Sequence, residues 1–415
     1  MTDHQPGLAP DVVDDVERLT KSLADELIAV RRDIHAHPEL GDAEFRTTRV
    51  LAERLRAVGL TPRVLPAGTG LVCDVDAGIE SGQRPVAQRS VALRADIDAL
   101  PIVDEKDVPY RSTVAGVCHA CGHDVHAAAV LGAGLVLNEL ARAGAFQGRV
   151  RLVLQPAEEI MPGGAEQVIA AGGLDGVERI LALHCDPRES VGRVGLRVGG
   201  ITASADQLTV RLTGRGGHTA RPHLTTDVVY ALGEVVTRVP AALSRRVDPR
   251  AGLSLVWGRI SAGVAANVIP DRGEVSGTFR CLDAGTWAAT KTLIPELVEQ
   301  VVAPYGVGCE VEFFRGVPPV INEASSTELL RLATEGVLGA DAVRPTEQSL
   351  GGEDFAWYLQ QVPGALIRLG VRADDAEQVD LHRGDFDVDE RAIGIGVSIL
   401  VCAALLALEA EPPIA

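Results

Sequence analysis

The amino-acid sequence predicts an α/β protein with a second domain inserted into it. Apolar, strand-like runs alternate with helical patterns along the first part of the chain, as is typical of a sheet flanked by helices. This alternation of strand and helix patterns stops near Ala203 and resumes after Pro318. A chain of 415 residues, 46% of them hydrophobic, is long enough for two or three domains. We expect a first domain from residues 1–202 and 317–415, and an inserted domain over residues 203–316.

The first domain is read from helical and strand patterns in chain order. A helix is expected from Asp11 to Arg32 and another after Asp124, and SVALRADIDALP, RVRLVLQP and RILALHCDP are expected as buried strands. Towards the C-terminus, SSTELLRLATEGVL predicts a helix and GALIRLG a strand. The uncharged run 392–408 approaches the length of a membrane span, but its Gly, Ser and Ala content favours a buried terminal helix.

The inserted segment has a different order of elements. QLTVRLTG predicts a strand, TTDVVYALGEVVTRV a helix, GLSLVWGRI and GEVSGTFRC two strands, AATKTLIPELVEQVV a helix and GCEVEFFRG a last strand. This βαββαβ order is that of the ferredoxin-like arrangement.

Composition excludes several classes of protein. With 39 basic and 57 acidic residues, the net charge of −18 repels phosphate backbones and anionic lipid surfaces, so we expect neither nucleic acid nor membrane as a partner. The seven cysteines are scattered and do not form a disulfide framework. The acidic N-terminus lacks the basic and apolar segments of a secretory signal, which predicts a cytoplasmic protein.

The densest group of metal-binding side chains is the segment CHACGHDVH, residues 118–126, just before a predicted helix. A thiolate at Cys121 and an imidazole at His123, with a glycine between them, can both reach one divalent ion. The alternative is a helix start capped by Asp124, with histidines that are merely polar.

Further candidates stand where the apolar runs end, which is where α/β folds place their sites. Neighbouring side chains of an extended chain point to opposite sides, so Glu158 and Glu159 are expected to do different jobs. Taken singly, the two carboxylates could be solvated, and His184 and His382 could be core histidines. Together the cysteine, glutamate and histidines form a donor set that suits zinc, manganese, cobalt or nickel better than magnesium or calcium.

The ordered motifs resemble the metal-dependent aminoacylase and carboxypeptidase family, and they cover essentially the whole chain. Within that family the sequence is most similar to the amidohydrolase branch, which includes hippurate hydrolase, indole-acetyl-amino-acid hydrolase, N-acetyldiaminopimelate deacetylase and N-acyl-L-amino acid amidohydrolase. The motifs are RRDIHAHPEL, LRADIDALP, HACGHDVHAA, LQPAEE, ALHCDP, GRGGHTARPH, NVIPDRGEVSGTFR, GGEDF and LHRGDFD. The most specific of them are HACGHD and PAEE in this order.

The resemblance implies a function and a set of site residues in the first domain. The activity would be hydrolysis of the amide bond of a small N-acyl amino acid, with acetyl, benzoyl or a similar acyl group. Glu158 would be the general acid and base for a metal-activated water, and Asp96 would orient a metal-binding imidazole. Two divalent ions at the strand ends would be held by Cys121, His123, Glu159, His184 and His382.

The resemblance also implies roles for the inserted domain, as a lid that forms the contact of a homodimer or of a tetramer. His218, reaching from the partner subunit, would hydrogen-bond the developing oxyanion. Asn267 and Arg280 would hold the substrate carboxylate. Without the family, these last two residues would be read as solvated strand residues.

Two positions depart from the family pattern. Cys118 stands where relatives commonly carry methionine, which puts a surplus thiol next to the site as an oxidation liability or alternate ligand. Arg383 and Gly384 stand where relatives usually show a small residue and proline, a change that could loosen the loop of His382 or add charge near the substrate.

Three other functions stay open at this point. A dipeptidase or carboxypeptidase of the same family would use the same site and differ in the groups its pocket recognises. A metal-free hydrolase using Cys121 with His123 is chemically conceivable, but a histidine two residues away is poorly placed to act as its base. A non-catalytic metal-binding homologue is the third, and the presence of Glu158 argues against it.

Overall fold

The computed structural model describes residues 8–78 and 89–411 of the chain. These residues separate into two compact units, each with its own core. The first unit extends to Gly199 and also contains Asn322–Glu347 and the residues from Trp357 onward. The second unit contains Gly200–Ile321 and Gln348–Ala356.

The helices and strands follow one another in three groups along the chain. The first group is α1 Pro10–Ala36, α2 Phe45–Ala57, β1 Arg63–Val64, β2 Leu71–Ala77, β3 Ser90–Asp96, α3 His123–Arg142, β4 Gly148–Gln155, α4 Ala165–Ala170, β5 Arg179–Ser190 and β6 Val194–Leu196. The second group is β7 Gly199–Thr202, β8 Ala205–Thr213, β9 Gly217–His218, α5 Val228–Arg246, β10 Ser254–Ala262, β11 Val268–Ile269, β12 Arg272–Arg280, α6 Ala284–Val302, β13 Gly308–Val317 and β14 Val320–Asn322. The third group is α7 Ala324–Leu338, β15 Val343–Pro345, α8 Phe355–Leu359, β16 Gly364–Arg372 and α9 Arg391–Glu409.

The first unit is built on an eight-stranded sheet in the order β1-β2-β4-β3-β5-β16-β6-β15. Strands β4, β3, β5 and β16 run parallel, whereas β2 and β6 are antiparallel to their neighbours β4 and β16. The central strand β3 is buried along its whole length, which explains why its sequence is a continuous apolar run rather than an alternating one. The predicted α/β class with a mixed sheet is confirmed.

Helices α3 and α9 are apolar on nearly all sides because they lie inside the first unit. A Cβ atom on Gly132 of α3 would lie 2.6 Å from Val397 of α9 and 2.7 Å from Leu27 of α1, so the glycine lets three helices pack closely. Both α3 and α9 are long and apolar enough to span a membrane, but 89% and 78% of their most apolar stretches are buried within the protein. The terminal helix is therefore a core helix, as the sequence predicted.

The second unit is a four-stranded antiparallel sheet in the order β10-β12-β8-β13. Its elements follow the order strand, helix, strand, strand, helix, strand, and α5 and α6 connect β8 to β10 and β12 to β13. Apolar side chains of the sheet, such as Leu208, Val275 and Phe279, form a core with Leu232 of α5 and Val298 of α6. This is the βαββαβ arrangement expected for the inserted segment.

Candidate metal centre

Strands of the central sheet bring the candidate residues to one edge. Asp96 ends β3 and lies in register with Gln155, the last residue of β4, after which Glu158 and Glu159 follow. On the other side of β3, Arg94 is paired with Ala182, so that His184 of β5 lies level with Asp96. The carboxyl ends of these parallel strands thus form a common site, as in other α/β sheets.

A tight turn before α3 adds two more side chains to this edge. Gly122 has a φ of 85°, in the left-handed region that favours glycine, and a Cβ atom there would lie 2.7 Å from the sulfur of Cys185. The chain therefore reverses directly between Cys121 and His123, the first residue of α3. Both side chains are buried, at 6% and 0% exposure.

The five side chains predicted as metal ligands come together at this edge. Cys121 Sγ lies 3.6 Å from His184 Nε2, and Glu159 Oε1 lies 3.2 Å from His382 Nε2 and 3.9 Å from His123 Nε2. The donor atoms form two groups, each with all members within 4.8 Å of one another. One group is Cys121, His123 and His184, and the other is Cys121, Glu159 and His382. Cys121 belongs to both, so the donors are arranged as two adjoining sites with a shared thiol.

The hydrogen bonds of the imidazole rings leave one nitrogen of each facing the site. His123 Nδ1 is 3.0 Å from the carbonyl oxygen of Asp98, and His184 Nδ1 is 2.8 Å from that of Cys185. A carbonyl can only accept, so both rings carry a proton on Nδ1 and turn Nε2 towards the site. Among the described residues, the buried Nε2 of His123 has no hydrogen-bond partner. A buried ring nitrogen without a hydrogen-bond partner fits the role of a metal ligand.

Burial sets the protonation of the site. Burial and the nearby Arg368 hold the pKa of His184 well below its usual range, which favours the neutral, metal-binding imidazole. Burial and the carboxylate of Glu159 raise the pKa of the Cys121 thiol well above its usual range. A thiolate here needs a compensating cation, which a divalent metal supplies. The same shift argues against Cys121 as the nucleophile of a metal-free hydrolase.

His382 is the most exposed of the five side chains, at 52%. Its backbone has a φ of 61°, which a histidine adopts only when its surroundings enforce it. Two backbone hydrogen bonds do so, from the His382 N–H to Ala120 at 2.8 Å and from the Glu105 N–H to Gly384 at 2.9 Å. The effect of Arg383 and Gly384 on this loop stays a prediction; the Arg383 guanidinium pairs with Asp385 at 2.8 Å.

Asp96 and Asp98 hold different histidines. Asp96, expected from the resemblance to orient a metal-binding imidazole, lies 2.6 Å from His126 Nδ1, and His126 Nε2 accepts the Cys185 N–H at 2.8 Å. Asp98 was not singled out in the sequence, yet its Oδ1 lies 3.1 Å from His123 Nδ1 and its Oδ2 accepts the N–H of Glu159 at 2.9 Å. The sequence feature that could have indicated Asp98 is its position two residues after Asp96 in RADIDALP, because residues two apart in an extended chain face the same side. The strand β3 itself ends at Asp96.

The remaining candidates belong to the second unit. His218 on β9 pairs with Val268 of β11, which places Asn267 beside it, and both residues are exposed. Arg280 ends β12, whose first residue, Arg272, follows β11 closely. Eight residue steps of strand, about 27 Å at about 3.4 Å each, separate the two ends of β12. Within this unit, His218 and Asn267 therefore lie at one end of the sheet and Arg280 at the other.

Two further residues have structural environments. Cys118 is fully buried, and burial raises the pKa of its thiol to about 11. Both features disfavour oxidation of this thiol by solvent-borne oxidants. Cys118 also takes no part in the donor groups formed by the described residues. Glu353 accepts the N–H of Phe355 at 3.0 Å, at the start of α8.

The Cys, His and Glu donors that converge at the strand ends of this α/β sheet form a candidate metal centre of the kind that metal-dependent hydrolases use. Residues 92–406 match the family model described as peptidase family M20/M25/M40. The chain belongs to this family and is a hydrolase acting on carbon–nitrogen bonds of small molecules, a class that binds divalent metals.

Individual relatives and a solved structure are similar to most of this chain. The N-acetyl-L-cysteine deacetylase of Bacillus subtilis is 37% identical over 90% of this chain and 86% of its own length. A Rhodococcus jostii protein with the provisional name glutamate–cysteine ligase 2-3 is 48% identical over 92% of this chain, but the match spans 46% of that longer protein. The crystal structure of the YXEP protein of Bacillus subtilis, titled a dinuclear metal binding peptidase from the M20 family, superimposes with a TM-score of 0.81 at 31% identity and covers 94% of this chain and 99% of that one.

Proposed function

We propose that this protein hydrolyses the amide bond of N-acyl amino acids, releasing a carboxylate and a free amino acid, with two divalent ions per subunit. The observation that carries the proposal is the convergence of Cys121, His123, Glu159, His184 and His382 beside Glu158. A soft thiolate, imidazoles and a carboxylate favour zinc, manganese, cobalt or nickel as the ions. The site belongs to a soluble enzyme that we place in the cytoplasm.

Glu158 is the proposed general acid and base. Its carboxylate is 9% exposed, and Oε2 lies 4.0 Å from the Nε2 of His123, next to the donor groups. When bound, the two cations would acidify a water molecule and polarise the amide carbonyl. Glu158 accepts a proton from the attacking water as its oxygen bonds to the carbonyl carbon. It then delivers that proton to the nitrogen as the carbon–nitrogen bond breaks.

Substrate recognition is assigned to the second unit. Arg280 offers a planar guanidinium that matches the two oxygens of a carboxylate, and its buried Nη1 has no partner among the described residues. Asn267 lies beside His218 and away from Arg280 of the same chain, so it would share this task from the partner subunit. His218, from the same partner subunit, would donate a hydrogen bond to the developing oxyanion. Because His218 on β9 and Arg280 on β12 lie at opposite ends of the second unit, they are proposed to serve two different active sites of a homodimer.

The edge strand β10 supports a dimer or a tetramer built from dimers. It is one of the two edge strands of the second unit's four-stranded sheet, and its Val256 and Ile260 are 59% and 57% exposed. An apolar edge strand is a template for pairing with another chain, and a second copy could extend the sheet through this edge. A charged substitution, Ile260→Lys, should shift sedimentation to the monomer and reduce turnover with it.

The relatives suggest the first substrates to test. The deacetylase named above acts on N-acetyl-L-cysteine, and the provisional name of the Rhodococcus protein also refers to cysteine. N-acetyl-cysteine should therefore be assayed together with acetyl, benzoyl and longer acyl derivatives of other amino acids. Enzyme reconstituted in turn with each of the four metals should release free amino acid from at least one of these compounds. Faster release from dipeptides would favour a dipeptidase or carboxypeptidase of the same family.

The variant Glu158→Gln tests the mechanism in the same assay. It should abolish turnover while the metal content stays at the wild-type level, because the five ligands are intact. Glu166→Gln, an exposed glutamate at the start of α4, is the matched control and should behave as wild type. Turnover that persists in Glu158→Gln, or that is insensitive to chelators, would refute the assignment.

A further inference from the structure

A second glutamate lies beneath the loop that carries Glu158 and Glu159. Glu44 is fully buried, and its Oε1 accepts the backbone N–H of Ala157 at 2.7 Å. The two residues are 113 positions apart in the sequence. This contact ties the segment before α2 to the loop that follows β4.

Glu44 is not needed to cap its own helix. It precedes α2, but its side chain makes no capping hydrogen bond there. The first N–H groups of α2 are taken by Glu39, whose carboxylate accepts from Arg46 at 2.9 Å and from Thr47 at 2.8 Å. The Glu44 carboxylate is therefore free to bond across to Ala157.

The backbone that Glu44 contacts has an unusual conformation. Ala157 has a φ of 52°, in the left-handed region that is unfavourable for a residue with a Cβ atom. Such a conformation persists only where neighbouring groups enforce it. On the other side of Glu158, the N–H of Glu159 is bonded to Asp98 at 2.9 Å. Two buried carboxylates thus grip the backbone immediately before and after Glu158.

We propose that Glu44 is a positioning residue, which holds Ala157 in its left-handed conformation and thereby aims the carboxylate of Glu158 at the reacting water. The inference rests on the proposed function, since it needs Glu158 to act as the base. Glu44 does not touch the ligand atoms, so its effect is expected on the rate of the chemical step and not on the binding of metal or substrate.

Burial of the Glu44 carboxyl group is unfavourable for the stability of the fold, which argues against a purely structural role. Burial, with added repulsion from Asp98 and Asp42, raises the pKa of Glu44 to about 7. A buried carboxyl group of this kind costs stability, and such groups cluster at functional sites. The neutral acid still has a carbonyl oxygen that can accept the Ala157 N–H.

The test compares Glu44→Ala, Glu44→Gln and the control Glu39→Gln, each loaded with metal. Glu44→Ala removes the acceptor, so we expect kcat to fall about ten- to a hundredfold, with KM and metal content within about twofold of wild type. Glu44→Gln keeps an oxygen acceptor and should retain kcat within about threefold. Glu39→Gln changes a carboxylate of the same segment that does not contact the loop, and it should leave kcat unchanged.

Hydrogen–deuterium exchange provides a readout that does not depend on activity. Amides of the segment 156–160 should exchange faster in Glu44→Ala than in the other proteins, since the anchor of Ala157 is lost. The proposal is overturned if Glu44→Ala keeps its kcat, if Glu44→Gln is as slow as Glu44→Ala, or if exchange at 156–160 is unchanged. A wild-type enzyme inactive on every N-acyl amino acid would instead refute the proposed function, and the exchange result would still decide whether Glu44 anchors the loop.

Discussion

The side chain of Asp98 lies 3.1 Å from Nδ1 of His123, on the side of the ring that faces away from the site. The same carboxylate accepts the backbone N–H of Glu159. One buried residue therefore orients two of the proposed metal ligands, His123 and Glu159, which are 36 positions apart in the sequence. Outer partners of this kind fix the tautomer and direction of a metal-binding imidazole.

Removing the Asp98 carboxylate should weaken metal binding. Asp98→Ala leaves His123 with only the backbone carbonyl as an acceptor and frees the N–H of Glu159, so we expect a loss of about ten- to a hundredfold in metal affinity. Calorimetric titration of the metal-free protein with metal measures this affinity. Asp107→Ala, an exposed aspartate of the following loop, is the control. Unchanged affinity in Asp98→Ala would show that the carbonyl alone is sufficient.

Gly384 should be required for the loop of His382. A Cβ atom there would lie 2.2 Å from the carbonyl oxygen of Val103, closer than any real contact, so Gly384→Ala must displace the loop. Metal occupancy should fall because the displaced loop carries His382, while the fold of the central sheet is kept. Gly394→Ala on α9, where the nearest atom is 3.6 Å away, is the matched substitution and should retain full occupancy. Equal metal content in both variants would contradict this account.

Adjacent arginines of α1 should differ sharply in their effect on stability. Arg31 is 1% exposed and contacts Asp124 at 2.7 Å, whereas Arg32 is 47% exposed and pairs with Glu390. Burial favours the neutral acid, but Arg31 and His35 hold the pKa of Asp124 well below its usual range. Arg31→Ala leaves this buried charge with His35 as its remaining partner, at 2.7 Å, and should cost about 3 to 5 kcal/mol.

The control for that experiment is Arg32→Ala, which should cost less than about 1 kcal/mol because the Arg32 side chain is 47% exposed and solvent screens its charge. Urea unfolding of the metal-free proteins gives both values. Similar losses for the two variants would mean that the buried pair is not the source of the difference.

The raised pKa of Glu44 predicts that the free energy of unfolding depends on pH. Its pKa is raised from about 4.5 to about 7 by burial, so the folded state binds a proton that the unfolded chain has already released at intermediate pH. The folded state therefore loses stability as the pH rises from about 4.5 to about 7, and the full cost remains above that range. Glutamine cannot ionise, so Glu44→Gln should gain stability relative to wild type over this range, by up to about 3 kcal/mol.

Unfolding of wild type and Glu44→Gln, measured at about pH 5 and about pH 8, checks the pH dependence. A difference between the two proteins that stays constant with pH would contradict the buried, titrating state of Glu44.

The architecture and the set of converging donors were accessible from the sequence for physical reasons. Parallel strands end at one edge, so Glu159 after β4 and His184 on β5 had to approach each other once the apolar runs were recognised as strands. His382 is different, because 198 positions separate it from His184 and no periodicity links them. It was a candidate by its residue type, and its role as a ligand followed from the family resemblance.

What the sequence did not indicate depends on backbone groups and their partners. Glu44 and Glu39 look alike in HPELGDAEF, and only the folded chain shows that one bonds to Ala157 and the other to the start of α2. Likewise, Arg31 and Arg32 are neighbours, but helical geometry turns one into the core and the other towards solvent. The αL backbone of Ala157 is set by tertiary contacts, since alanine has no intrinsic preference for it.

The central claim is that two donor groups hold two cations that turnover requires. The groups are Cys121 with His123 and His184, and Cys121 with Glu159 and His382. Stepwise addition of manganese or zinc to the metal-free enzyme, with bound metal and release of amino acid measured in the same samples, tests it most directly. We predict binding that saturates near two ions per chain, activity that rises with occupancy, and loss of both in Cys121→Ala. Full turnover in the chelated, metal-free enzyme, or saturation without any effect of Cys121→Ala, would contradict the claim.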